Sequence, residues 1–364
     1  MPRRRMVKDA PFLNFVLAVV LVLALGWLLV IGKFILLPLA SATILALMIH
    51  AATEALSRLP LIGRLPAFAL RLGLLAAFAL VVLLLYAVVA STVDDIVLRT
   101  PAYEENLRDI VSRIAAYFHI ESGEAWQAIR EATIDEIDLR QLALSVLGAL
   151  TSTGVAVLIT MVFTIFLLSE RQSLAEKLAV AMRDRNNAER SFEALASVRE
   201  RVSRYLLVKT CINVLIAVIS YVIMRSFELD FALFWALMIG LFNYIPYVGS
   251  IVAVAFPVLL SVVQFGELGT TLLLAAVMTV AQILVGNIIE PQVIGRQLNQ
   301  SPIVVVCALA VWGAIWGIPG AILAVPMTAS LAIVLHAFPA TRPVSILLAE
   351  RIDDPRATGL IVRP

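Results

Sequence analysis

Charge is what this sequence lacks. Of 364 residues only 15% are Asp, Glu, Lys or Arg, while 61% are hydrophobic and the mean hydropathy is +0.97. A soluble domain carries about a quarter charged residues. The 28 Lys+Arg and 26 Asp+Glu also cluster, so long stretches carry no charge at all. A soluble enzyme and a disordered chain are excluded. A net charge of +2 leaves no basic surface for nucleic acid. Cysteine is scarce too: Cys211 and Cys307 both lie in apolar runs, which argues against a disulfide framework or zinc site and leaves two small packing residues. His50, His119 and His336 are scattered without metal-ligand spacing. There is no Gly-x-x-x-x-Gly-Lys phosphate loop, hence no expected ATP hydrolysis. The absence of Gly-x-Ser-x-Gly and His-Glu-x-x-His phrases argues against an intramembrane protease. No enzyme activity and no cofactor are expected; such a chain works by binding and movement.

What is present is a set of apolar runs. A helix needs about 20 apolar residues to cross ~30 Å of hydrocarbon. Residues 12–31 meet this without a charge. Arg3, Arg4, Arg5 and Lys8 precede them like the start of a signal peptide, but the run is too long and no small-x-small cleavage site follows, so a retained anchor is expected. Further spans are read at 34–49, 72–91, 142–168, 206–227 and 268–289. Two runs, 231–265 and 303–338, are too long for one crossing and too short for two. The first is broken at Asn243-Tyr244-Ile245-Pro246-Tyr247-Val248-Gly249, the second at Trp316-Gly317-Ile318-Pro319-Gly320. Each arm, with roughly 14–16 residues, rises only ~21–24 Å. Proline removes a backbone donor and glycine permits reversal, so two re-entrant helical hairpins are the economical reading. A long, kinked, tilted helix for each run is the alternative, giving eight spans. The predicted fold class is therefore an all-α polytopic membrane protein with about six full spans and two re-entrant hairpins.

Charge orients this scheme. With a cytoplasmic amino terminus, 21 of the 28 basic residues fall on the inner side, in line with the positive-inside rule. The domain scheme is then a cytoplasmic tail 1–11, helices within 12–91, an acidic extracytoplasmic segment 92–141 with amphipathic helices, the span 142–168, a charged cytoplasmic helical hairpin 169–205 turning at Asn186-Asn187, a transport region 206–338, and a cytoplasmic tail 339–364. In the outer segment Tyr103, Leu107, Ile110, Val111, Ile114 and Phe118 share one helical face, with Pro101 suited to a first turn and Thr100 to a cap. Within 206–338 a span plus a broken run occurs twice, each unit with an Ile-Pro pair at its break. An odd number of crossings per unit makes the two inverted in topology, a recurring plan of secondary transporters whose substrate site lies at the repeat interface.

Polar residues in this region are the functional candidates. Asn287 and Glu290 are three apart and share a helix face. Pro291 biases Glu290 out of the helical region, placing the end of the span there. A carboxylate at this depth is costly and points to cation or proton coordination, or gating; a helix-end pairing with Arg296 is the alternative. Asn243 either satisfies backbone groups freed by Pro246 or faces substrate. Tyr244 and Tyr247 are aromatic walls or interfacial belt residues. Gln264 and Gln282 are read as helix–helix glue. Lys209 is read as snorkelling to the cytoplasmic face. The substrate or ion pathway set is thus Asn243, Asn287, Glu290, Tyr244 and Tyr247. The gating set is Pro246, Gly249, Pro291, Gly295, Gly317, Pro319 and Gly320.

The ordered phrases Phe242-Asn243-Tyr244-Ile245-Pro246-Tyr247-Val248-Gly249, Pro257, Asn287…Glu290-Pro291…Gly295, Ser301-Pro302 and Trp312-Gly313…Trp316-Gly317…Gly320…Val325-Pro326 resemble the autoinducer-2 exporter-like family of bacterial permeases over essentially the whole chain. The resemblance implies a multi-pass transport protein of the bacterial cytoplasmic (inner) membrane, working as a homo-oligomer. Members have been linked to export of the autoinducer-2 signal and to sodium(lithium)/proton antiport. The resulting expectation is a secondary transporter or exporter of a small solute, driven by proton or sodium coupling through alternating access. Its partners are the lipid bilayer, a small-molecule or cation substrate and further copies of the chain. A Na+(Li+)/H+ antiporter is the runner-up. A non-transporting membrane scaffold or regulator, holding partners through 92–141 and 170–204, is the alternative of another class.

Overall fold

A computed structural model describes residues 10–60, 62–119, 123, 126–127, 139–181, 185–295 and 298–351. The expectations for most of the amino-terminal tail, for 128–138, for the end of the carboxy-terminal tail and for Arg296 fall outside these residues. The described residues are helical apart from turns and one isolated bridge between Gln300 and Ala349. In chain order the helices are α1 (Ala10–Ile31), α2 (Lys33–Ser57), α3 (Ala67–Phe118), α4 (Leu139–Ala181), α5 (Arg185–Ser226), α6 (Ala232–Phe242), α7 (Val248–Phe265), α8 (Leu268–Ile283), a π-helical turn Leu284–Ile289, α9 (Glu290–Ile294), α10 (Pro302–Ala337) and α11 (Arg342–Leu348). Eight helical stretches among the described residues are long and apolar enough to cross a membrane. They leave large apolar side chains uncovered, such as Trp27 at 69% and Phe34 at 72% exposure. Helices satisfy their own backbone groups, so hydrocarbon is the solvent in which such faces are stable. The chain is an all-α polytopic membrane protein.

It divides into two compact units, one of residues 1–46, 156–195 and 300–364, the other of 47–155 and 196–299. The second unit has a continuous apolar core. Ile212, Ile216 and Met224 of α5 meet Ala232, Ala236 and Ile239 of α6, Ala253 of α7, Leu274 and Met278 of α8 and Val285 of the π-turn. Small residues allow this approach: a Cβ on Gly240 would stand 3.2 Å from the Ala217 Cβ and 3.3 Å from the Asn213 carbonyl oxygen.

Within this unit α6 and α7 fold back on each other. The Trp235 and Phe256 rings stack with centroids 5.7 Å apart, whereas 21 residues of straight helix would separate them by ~31 Å. The reversal occupies 243–247, where Tyr247 has φ of 64°. A Cβ on Gly249 would come within 2.1 Å of the Phe242 carbonyl oxygen, so only glycine fits this crossing. At the open end Gln264 bridges the arms: its Oε1 accepts from the Asp230 N–H at 2.8 Å and its Nε2 donates to the Glu228 carbonyl at 2.9 Å. The distal part of α3 fastens to the same place. Arg99 donates to Asp230 at 2.6 Å, the Tyr103 hydroxyl donates to the other Asp230 oxygen at 2.8 Å, and Asn106 donates to the Gln264 carbonyl at 2.8 Å. Burial and the Asp230 carboxylate push the Tyr103 phenol well above its ordinary pKa.

The first unit contains the second fold-back, inside α10. Gly317 alone leaves helical geometry, with φ 68° and ψ −148°. The Trp312 indole donates to the Thr328 hydroxyl at 3.0 Å, although sixteen residues of straight helix span ~24 Å. Gly320 sits where a Cβ would be 2.1 Å from the Trp312 carbonyl oxygen. Trp316 donates to the Leu29 carbonyl of α1 at 3.0 Å. Near the other end of α10, α11 is fastened by a 3.0 Å contact of His336 with Ser345 and by the Ser301 N–H to the Leu348 carbonyl at 3.2 Å.

Three local expectations differ from what is found. α3 runs unbroken through Pro101, and the Thr100 hydroxyl bonds back to the Ile96 carbonyl instead of capping a new helix. Proline removes one backbone bond, and the contacts of Arg99, Tyr103 and Asn106 hold the extension in line. Asn186 and Asn187 lie in the first turn of α5, not at a reversal. The helix does not stop before Pro291: Glu290 is helical at φ −57°, ψ −50°, and the chain ends its turn only at Gly295, with φ 56°. The wider π-turn before it makes room for the proline ring.

Candidate functional site

The polar side chains of the second unit converge beside the α6–α7 reversal. α5 contributes Lys209, Thr210 and Asn213; Lys209 and Asn213 are four apart and share a face. The reversal contributes Asn243 and Tyr244. α8 contributes Gln282, and α9 opens with Glu290. Eight residues of α-helix would leave Gln282 and Glu290 ~80° apart around the axis. The π-turn winds more widely and turns both towards the same cluster.

The cluster has two parts. The first is a row of amides: Gln282 Nε2 donates to Asn243 Oδ1 at 3.3 Å, and Asn243 Nδ2 donates to Asn213 Oδ1 at 2.9 Å. Both asparagines are buried, and the Asn213 Nδ2 has no hydrogen-bond partner among the described residues. A buried amide donor is costly without an acceptor. The second part is an ion pair, Lys209 Nζ to Glu290 Oε1 at 2.5 Å, with side-chain exposures of 4% and 23%. The Thr210 hydroxyl contacts the Tyr244 hydroxyl at 2.7 Å and bonds back to the Leu206 carbonyl at 2.7 Å. Tyr205 is buried one turn before Lys209.

The structure thus brings together Asn243, Tyr244 and Glu290 of the candidate pathway residues. Asn287 lies in the π-turn with its side chain exposed, and Tyr247 is 58% exposed at the strained corner of the reversal. Pro246 and Gly249 shape that corner. Pro291 and Gly295 flank α9, with Gly295 at positive φ. Gly317, Pro319 and Gly320 shape the other reversal: Pro319 stands in the first turn of the second arm, where a missing N–H is harmless. Lys209 does not snorkel; its ammonium is buried on Glu290. Thr210 and Asn213 carried no distinct sequence signal beyond polarity at a four-residue spacing from Lys209 in an apolar run. No group of three or more His, Cys, Asp or Glu that could hold a metal occurs among the described residues.

Comparisons with known proteins agree with this picture. The family model described as AI-2E family transporter matches residues 15–340. A protein of Escherichia coli strain K12 provisionally named for transport, YhhT, is 26% identical over 344 residues, covering 90% of this chain and 97% of the relative. The AI-2 transport protein TqsA of the same strain is 29% identical over 220 residues, 60% of this chain and 62% of the relative. A Borreliella burgdorferi protein, also named provisionally for transport, is 34% identical over 171 residues; that match spans about half the length of each chain, 47% in both cases.

Proposed function

This chain belongs to the AI-2E family of membrane transporters, and on that premise we propose that it is an ion-coupled secondary transporter whose working site is the polar cluster of residues 209–290. The observation that carries the reading is the ion pair of the buried Lys209 with the partly buried Glu290 among apolar helices, beside a helical reversal. A buried ion pair seldom adds net stability over apolar packing, so its place inside a membrane helix bundle is better explained by work. The adjoining amide row, with an open donor on Asn213, suits a small polar solute carrying acceptor oxygens. A soluble signal of the autoinducer-2 type fits that chemistry and is what TqsA is named for. In this proposal both fold-backs are re-entrant hairpins and gates, the two span-plus-hairpin units are inverted repeats, and access alternates from one membrane face to the other. The membrane is the bacterial inner membrane, both termini are cytoplasmic, the direction is export, and the functional form is a homo-oligomer.

The test uses full-length protein in liposomes loaded with autoinducer-2. Glu290→Gln is expected to abolish flux while the protein remains folded and monodisperse. Unchanged flux removes Glu290 from the mechanism. A sodium(lithium)/proton antiporter is the second reading, supported by the same carboxylate; sodium-driven proton movement without any solute would favour it.

A further inference from the structure

The contact of Lys209 with Glu290 depends on where the chain after α8 points its side chains. Between Leu268 and Ile294 the π-turn Leu284–Ile289 is the one departure from α-helical winding. Its width shows in the backbone: the Glu290 N–H donates to the Val285 carbonyl, five residues back instead of four. One residue is absorbed in this way without advancing the face. Each α-helical residue turns the chain by ~100°, so plain winding would put Glu290 ~80° from Gln282, whereas with one residue absorbed the two lie within ~20°. On that shared face Gln282 reaches Asn243 and Glu290 reaches Lys209.

The residue after Glu290 supplies a cause. In an α-helix position 291 would donate to the Asn287 carbonyl, but a proline has no N–H and its ring clashes with that oxygen. Pro291 nevertheless lies inside helical structure: Glu290 before it has φ −57° and ψ −50°, and its own carbonyl accepts from the Gly295 N–H at 3.0 Å. A helix that runs through a proline must widen or kink in the turn before it. Packing around this turn is loose: Asn287 and Ile288 are exposed, and a Cβ on Gly286 would meet nothing within 4 Å.

We propose that Pro291 is a positioning residue: it bars α-helical winding over 287–291 and so holds the turn that keeps Glu290, and not Ile289, facing Lys209. This deepens the reading of the polar cluster and rests on it for its meaning in transport. A residue that can donate to Asn287 would let the segment close into a plain α-helix. Glu290 would then swing ~100° about the axis, and Ile289 would take its place on the Lys209 face.

The experiment reads this register with no transport step, so its failure and a failure to carry autoinducer-2 are separate results. The full chain, with Cys211→Ser and Cys307→Ser to remove its exposed thiols, is placed in lipid nanodiscs. Lys209→Cys is combined with either Glu290→Cys or Ile289→Cys, once with Pro291 and once with Pro291→Ala. A short bis-methanethiosulfonate is added and intrachain linkage is followed by peptide mapping. With both charges gone in the Glu290→Cys pair, any register that persists there is not held by the ion pair. With Pro291 the Glu290→Cys pair is expected to link several-fold faster than the Ile289→Cys pair. With Pro291→Ala the preference is expected to pass to Ile289→Cys. The same preference in both backgrounds overturns the proposal, as does no preference for Glu290→Cys in the Pro291 chain. If Pro291→Ala does not fold, further deletion of Gly286, which returns residue 290 to the Lys209 face of a plain helix, is expected to restore folding. Failure to restore it contradicts the proposal.

Discussion

The two fold-backs solve the same backbone problem with different contents. At 243–247 the reversal is flanked by amides and a partly buried ion pair that reach α5, α8 and α9. At Gly317 it is flanked by indoles and small residues: Trp312 bonds Thr328, Trp316 bonds Leu29, and the two indole rings lie 5.3 Å apart. Each uses a glycine whose Cβ would collide with a backbone oxygen at 2.1 Å, Gly249 in one and Gly320 in the other. Glycine and proline therefore make the turn, and the neighbouring side chains decide whether the turn can do chemistry. The first fold-back lies beside an ion pair and an amide row contributed with α5, α8 and α9. The second, built from apolar and singly bonded groups, is suited to be a rigid counterpart.

The largest expected effect breaks the polar side of this contrast. Lys209→Met leaves the partly buried Glu290 carboxylate without its cation and should cost up to roughly 3–5 kcal/mol, the range for a fully buried pair broken from one side. Adding Glu290→Gln should recover much of that loss. Denaturation of the single and double variants in lipid nanodiscs reads both numbers. A fully additive pair of costs would show that the two side chains are independent.

Next in size, Gly249→Ala and Gly320→Ala both force a Cβ against a carbonyl and should each cost about 1–3 kcal/mol. Equal stability losses with a larger flux loss for Gly249→Ala would sharpen the comparison, because only that turn adjoins the amide row. Smaller effects follow from single bonds. Asn243→Ala strands the amides of Gln282 and Asn213 and should cost about 1–3 kcal/mol, whereas Trp312→Phe gives up one bond to Thr328 and should cost about 1 kcal/mol.

Much of this contrast is legible in the amino-acid sequence. Length and composition located the broken runs, because a 35-residue apolar stretch with Ile-Pro at its middle has few geometries in hydrocarbon. Asn243 and Glu290 stood out as costly groups in apolar surroundings. What sequence could not provide was pairing between helices. Lys209 and Glu290 are 81 residues apart, and a lysine near one end of a span reads equally well as a snorkelling charge. Asn213 is an ordinary amide in a run until Gly240 lets α6 pack against its turn of α5. Pro291 suggested a helix end because the rule for residues before proline is a bias, and the π-turn that overrides it leaves no clear mark in composition. The same holds at Pro101, where contacts of Arg99 and Tyr103 with Asp230 keep α3 continuous.

The smallest effect lies outside the membrane spans, at the base of the first fold-back. Tyr103 is held neutral by burial and by donation to Asp230, so its pKa is higher folded than unfolded. Its stabilisation is fully present below the ordinary phenol range near ~10 and is lost as pH rises through the folded value. Tyr103→Phe should therefore lower stability slightly at neutral pH and flatten the further loss above about pH 10. Midpoints measured across that range check the sign.

The proposed division of labour between the two reversals is tested most directly by flux through purified protein in autoinducer-2-loaded liposomes, comparing Glu290→Gln with Trp312→Phe at matched folding and orientation. The expected result is loss of flux in Glu290→Gln and near wild-type flux in Trp312→Phe. Intact flux in Glu290→Gln, with or without loss in Trp312→Phe, would contradict the assignment of the chemistry to the polar fold-back.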